Sequence, residues 1–228
     1  MADRATRRQL LKMTAAGVAA MAAAPAEMLA QNAVPAFSKP ETPEQAMRLL
    51  REGNDRYMKQ NLTACAIDLA ILRADTEEQQ EPFAGILSCA DSRVPAEIIF
   101  DQSIGHLFVV RVAGNIATSD TIASLEYAAA VLGIKTILVL GHSNCGAVKA
   151  AKAGSAVPGQ ISTLFPYIYP GTVGAADLPA AVAKNAQMQA AMLRTASTVI
   201  SEMVKSGKLS VEAAVYDLGT GKVTLTGS

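Results

Sequence analysis

Apolar positions along this chain follow two rhythms. Phe83-Ala84-Gly85-Ile86-Leu87-Ser88, Leu107-Phe108-Val109-Val110-Arg111-Val112 and Thr136-Ile137-Leu138-Val139-Leu140-Gly141 are short, nearly continuous apolar runs. That is the pattern of strands buried on both faces. Leu209 to Tyr216 and Lys222 to Leu225 also read as strands, joined by a turn at Gly219-Thr220-Gly221. The other rhythm is helical. Thr42-Pro43-Glu44-Gln45 offers a cap, a proline suited to the first helical position and a capping-box glutamine. Ala46, Leu49, Leu50, Gly53 and Tyr57 then recur at helical spacing. Ser119 to Leu132 is helical in pattern with Gly133 as its stop, and Ala180 to Lys205 reads as one or two helices ending at Gly207. Apolar strands alternating with helices predict an α/β fold. Its sheet is mainly parallel with helices on both faces, and the closely joined last pair forms a C-terminal antiparallel edge hairpin.

The first 30 residues break the pattern. Thr6-Arg7-Arg8-Gln9-Leu10-Leu11-Lys12 opens an Ala-rich apolar run from Met13 to about Ala24, and Ala22, Ala24, Ala26 and Ala30 offer cleavage sites. A basic start, an apolar middle and a small-residue end predict an export signal. The paired arginines make it resemble the twin-arginine type, whose cargo crosses already folded. A membrane anchor is the other reading, but the run is short for about 30 Å of hydrocarbon. The expected organisation is a signal peptide over 1–30, a linker over 31–41 and one domain over 42–228, periplasmic or otherwise exported. No internal repeat interrupts it.

Composition narrows the functions. Of 228 residues, 50% are hydrophobic and 18% charged, so the chain can bury a large core. Without the first 30 residues, 16 basic residues face 18 acidic ones. That balance gives no attraction to nucleic acid or an anionic membrane. Tryptophan is absent and aromatics are 4%, which argues against base-stacking platforms. The expected partners are therefore no nucleic acid and no membrane after signal cleavage.

Two short stretches carry the chemistry, Cys89-Ala90-Asp91-Ser92-Arg93 and Gly141-His142-Ser143-Asn144-Cys145-Gly146. Only two histidines exist in the chain, and one of them, His142, is separated from a cysteine by two residues. Cys89, His142 and Cys145 form a set of three ligands, the arrangement of a catalytic zinc with one open position. In the expected fold Cys89 follows the first strand and His142 the third, and the carboxyl ends of parallel strands converge. Zinc so held lowers the pKa of its water. Asp91 sits where it can reach the open position or that water, and Arg93 can clamp Asp91 and keep it ionised. Other readings stay open. Cys89 and Cys145 can pair as a disulfide in an oxidising compartment. A structural zinc needs a fourth ligand, for which Asp91 in a resting form or Cys65 is available by count. Cys65 reads as a small buried residue. His106 reads as a surface residue. Gly114 after the second strand is weak evidence for dinucleotide binding.

At this point the chain resembles the β-class carbonic anhydrases. Cys89 to Glu97 and Gly141 to Val148 fit that family's two signatures. Arg51 to Tyr57, Arg111 to Asn115, Leu125 to Ala128 and Tyr216 to Val223 fit as well. The resemblance implies reversible hydration of carbon dioxide to bicarbonate and a proton by zinc-bound hydroxide. It implies Zn2+ on Cys89, His142 and Cys145, with Asp91 and Arg93 as a catalytic dyad. It also implies Gln80, Phe108, Ala113, Tyr127 and Gly146 as substrate-pocket residues, and a homodimer or larger homo-oligomer sharing pocket residues. Hydrolysis of carbonyl sulfide or carbon disulfide at the same site is the alternative, and a non-enzymatic zinc-binding protein the second. One departure informs regulation. Some members carry a tryptophan three residues before the first cysteine as part of a regulatory bicarbonate site, whereas here Ile86 stands there.

Overall fold

A computed structural model describes residues 37–64, 76–154 and 158–227. The expected signal segment, most of the 31–41 linker and Cys65 lie outside the described residues. The strands are β1 (Ala84–Ser88), β2 (Leu107–Arg111), β3 (Thr136–His142), β4 (Ser210–Tyr216) and β5 (Val223–Leu225). They form one sheet in the order β2-β1-β3-β4-β5. The first four are parallel, and β5 runs antiparallel to β4 at the edge, as expected.

Alternation along the central strands divides their apolar runs between two cores, because successive side chains leave opposite faces. Leu87, Ile137, Val139, Val211 and Ala213 face α3 (Ser119–Ala130), α6 (Leu178–Ala196) and α7 (Thr198–Lys205). Ala84, Ile86, Leu138, Leu140, Ala214 and Tyr216 face α1 (Pro43–Met58) and α2 (Ala96–Ile99). β2 corrects the sequence reading. Its apolar run predicts burial, yet all its residues keep solvent exposure because it takes the outer edge. Hydropathy alone does not separate an edge strand from a central one.

Local signals explain the helix ends. Thr42 Oγ1 accepts from the Gln45 N–H at 3.3 Å while Gln45 Oε1 accepts from the Thr42 N–H, the expected capping box. The long C-terminal helical pattern resolves into two helices at Ser197. Its hydroxyl oxygen accepts from the Ile200 N–H at 3.0 Å and restarts the helix as α7. Four elements have no counterpart in the sequence pattern: α2, α4 (Gly146–Ala153), a 3₁₀ turn (Gly159–Leu164) and the α5 (Phe165–Thr172) it leads into. They are short, and α5 carries Pro166, Pro170 and Gly171, which break helical periodicity. No described helix is long and apolar enough to cross a membrane.

Candidate metal centre

β1 and β3 are neighbours, so their carboxyl ends deliver two loops to one place. Cys89 follows the last residue of β1, His142 is the last residue of β3, and Cys145 caps α4. All three are buried, and their ligand atoms lie within 4.8 Å of one another, the one such group of His, Cys or acidic ligands among the described residues. The thiols are free, with Cys89 Sγ 4.0 Å from Cys145 Sγ. That distance excludes the disulfide in this arrangement. It suits two zinc–sulfur bonds of about 2.3 Å at a tetrahedral angle, which span about 3.8 Å.

His142 is set for ligation by its other nitrogen. Nδ1 lies 2.9 Å from the Ser143 carbonyl, to which it donates, leaving Nε2 as the lone-pair nitrogen. Nε2 is buried without a hydrogen-bond partner. A buried acceptor without a partner is costly, and a cation beside it removes the cost. The Cys145 thiol beside it pulls the Cys89 thiol down to about 4 against the burial that would raise it, and the Gly114 N–H helps from 3.3 Å. Cys145 is pushed up by Cys89 and by burial. Two thiols and an imidazole nitrogen are the donor set of zinc, and these residues fit it.

Asp91 and Arg93 pair as the spacing predicts. Arg93 Nε donates to Oδ1 at 2.9 Å, Nη2 donates to Oδ2 at 2.8 Å, and the Arg93 N–H reaches Oδ1 at 3.0 Å. This clamp holds the Asp91 carboxyl well below the usual carboxylate range. Oδ2 lies 3.8 Å from His142 Nε2, which puts a carboxylate at the margin of the ligand cluster.

The pocket residues are placed less uniformly. Phe108 on β2 and Tyr127 on α3 pack with ring centroids 6.3 Å apart, and Tyr127 is 47% exposed. Ala113 is half-buried in the turn that presents the Gly114 N–H to Cys89. Gly146 opens α4 at its exposed first turn. Gln80 is exposed on the segment leading into β1. His106 is not a surface residue but half-buried, and burial lowers its imidazole pKa.

Sequence reasoning gives Arg111 no role. In the fold its Nε donates to the Cys89 carbonyl at 3.1 Å and its Nη2 to the Asp91 carbonyl at 2.5 Å, so the end of β2 grips the ligand loop. The available signal was a guanidinium closing an otherwise apolar strand. Ser143 ties down the second loop. Its N–H donates to the Tyr216 carbonyl at 2.9 Å, and its hydroxyl oxygen accepts from the Leu218 N–H at 2.9 Å.

Known proteins share this arrangement of chain. The carbonic anhydrase family model matches residues 84–223. Carbonic anhydrase 2 of Mycobacterium tuberculosis is 36% identical over 194 residues, covering 80% of this chain and 92% of that protein. A carbonic anhydrase of Pseudomonas aeruginosa is 35% identical over 163 residues, covering 64% of this chain and 73% of that protein. Among solved structures, a Coccomyxa β-carbonic anhydrase in complex with acetazolamide aligns with a TM-score of 0.61 at 29% identity, covering 76% of this chain and 83% of its own. A tetrameric β-carbonic anhydrase from Sordaria macrospora aligns with a TM-score of 0.61 at 23% identity, covering 70% and 91%, and speaks for the fold alone.

Proposed function

The chain belongs to the β-class carbonic anhydrases, and on that premise we propose that it hydrates carbon dioxide reversibly at a zinc held by Cys89, His142 and Cys145. One observation carries this reading. Three buried ligand atoms within 4.8 Å of one another have an Arg93-clamped carboxylate beside them. Zinc, when bound, supplies a Lewis-acidic position at which water ionises near neutral pH.

The chain's own groups do the rest. Asp91, kept ionised by Arg93, accepts the hydrogen bond that orients the attacking oxygen and fixes which lone pair faces the substrate. Arg93 also decides whether Asp91 stays clear of the open ligand position. The Gly146 N–H, free at the start of α4, receives an oxygen of the bicarbonate product. Phe108, Ala113 and Tyr127 give an apolar wall that suits an uncharged linear molecule, and Gln80 adds a polar contact. A second copy of the chain belongs to this proposal. Half-exposed Phe108, Val109 and Val110 on the β2 edge, with exposed Tyr127, form a wall that one chain leaves open. Export by a twin-arginine route belongs to it too. Replacing Arg7 and Arg8 by lysine should strand the precursor in the cytoplasm.

Stopped-flow carbon dioxide hydration on the zinc-loaded mature protein tests the activity. Hydration that a strong chelator abolishes and zinc restores supports it. Turnover of carbonyl sulfide or carbon disulfide without hydration would move the reading to the sulfur analogues. A zinc-loaded protein inert to all three would leave only metal binding.

A further inference from the structure

α6 is rich in alanine, yet its buried side includes two amides four residues apart, Asn185 and Gln189. Positions i and i+4 share a helix face. Fully buried amides persist where every polar atom finds a partner, and these do. Asn185 Nδ2 donates to the Gly114 carbonyl at 3.0 Å. Gln189 Nε2 donates to Asn185 Oδ1 at 3.1 Å and to the Tyr167 carbonyl at 2.8 Å. Gln189 Oε1 accepts from the Ala117 N–H at 2.9 Å. The partners fix the orientation of both amides, since two carbonyls demand the NH2 ends and one N–H demands the oxygen.

Two of these bonds reach the turn between β2 and α3, at Gly114 and Ala117, and a third ties the pair to α5 at Tyr167. Gly114 is the residue whose N–H donates to Cys89 Sγ at 3.3 Å. It sits at φ +80°, where only glycine is at ease, and Ile168 of α5 packs against its Cα. Gly171 lets α5 come close to Asn185: a Cβ there would fall 2.8 Å from the Asn185 Cα. Asn185 of α6 therefore holds the carbonyl of Gly114, and Ile168 of α5 packs on its other side, while its N–H points at a sulfur. An N–H donor on a thiolate stabilises its charge and fixes which lone pair it offers.

We propose that Asn185 and Gln189 are positioning residues for the Cys89 ligand: through Gly114 they keep an N–H on the sulfur and so set how tightly the site holds its metal. This rests on the reading that Cys89 ligates the ion. The test loads the full mature chain with cobalt as the probe. It records the thiolate-to-cobalt charge-transfer band and titrates the metal away with a chromophoric chelator. Asn185→Asp puts an oxygen against the Gly114 carbonyl, and Gln189→Glu removes the donor to Asn185. Each should weaken metal retention about 10- to 100-fold and shift or weaken the band. Leu193→Ala, a cavity one turn beyond Gln189 on the same helix, in the core with Leu87 and Val139, should lower stability and leave band and retention unchanged. Asn185→Asp with the wild-type band and retention within about twofold would overturn the proposal. If Asn185→Asp does not fold, Gln189→Glu, checked for folding by circular dichroism, carries the same expectation, and an unchanged band and retention in it overturn the proposal equally. A wild-type chain that gives no charge-transfer band overturns instead the ligand reading beneath it.

Discussion

Gly114 is the position where the packing around the site can be weighed most directly. A Cβ built there would lie 2.6 Å from Ile168 Cδ1 and 3.1 Å from Ile168 Cγ1, on a backbone at φ +80°. Gly114→Ala therefore carries two separable penalties. The left-handed backbone costs an L-residue about 1–2 kcal/mol, and an extra methyl in a filled core about 1–3 kcal/mol, so the loss should be about 3 kcal/mol. Ile168→Val removes the Cδ1 methyl, the nearer obstacle, and alone should cost about 1 kcal/mol. If the clash is with Ile168, the methyl added at 114 occupies space vacated at 168. The double variant should then be no less stable than Gly114→Ala, rather than reaching the additive loss of about 4 kcal/mol. Urea unfolding by circular dichroism decides this, at one fixed zinc concentration for all four proteins because bound metal adds to apparent stability. Additive losses within about 0.5 kcal/mol would refute the reasoning. Ile168 would then not be what the new methyl meets.

Four other outcomes are open to direct measurement. Asp91→Ala and Arg93→Ala should each remove most hydration activity with zinc retained, and the double variant should lose little more, because either change breaks the pair; additive losses would mean independent roles. Burial would raise the Asp101 carboxyl, but Arg56 Nε at 2.6 Å, together with the N–H groups of Thr63 and Ala64 and the Thr63 hydroxyl, holds it below the usual range. Its folded pKa is depressed, so its stabilisation is present above about pH 4 and fades as pH falls through the folded value: Asp101→Asn should cost about 3 kcal/mol at neutral pH and less below pH 4, whereas a pH-independent gap contradicts this. Metal analysis of protein purified without added zinc should find about one zinc per chain, and a folded, metal-free protein with two titratable thiols at 89 and 145 would oppose it. Hydration rate should rise smoothly with pH through the neutral to alkaline range, since two thiolates lower the effective charge on zinc; steep cooperative loss on acidification, deepened by bicarbonate, would refute the reading of Ile86.

Much of the centre was legible because its parts are local. Cys89, Asp91 and Arg93 lie within five residues, and His142 and Cys145 within four, so each loop announces its chemistry by spacing. Continuous apolar runs placed both loops at strand ends, where parallel sheets gather functional groups. What escaped depends on contacts across long stretches of chain. Asn185 meets Gly114 across 71 residues, and Arg111 meets Cys89 across 22. A polar pair four apart on an alanine-rich helix was the available hint, and only the fold supplies its target. The edge position of β2 escaped because an apolar strand reads alike whether one neighbouring strand flanks it or two.

The placement of Cys89 and Cys145 at the ends of adjacent strands also bears on how the chain becomes native. His142 and Cys145, three residues apart, can grip an ion from one loop before any sheet exists. Cys89 lies 56 residues from Cys145 and comes within reach only when β1 has aligned beside β3. An ion shared by the two sulfurs, as proposed, would act as a cross-link. By the chain-entropy account a loop of that length is worth about 4 kcal/mol against the unfolded chain. With zinc at the proposed site, Cys89 as the third donor would report strand pairing, and its capture of the metal would seal the alignment of the two strands that bring the site together.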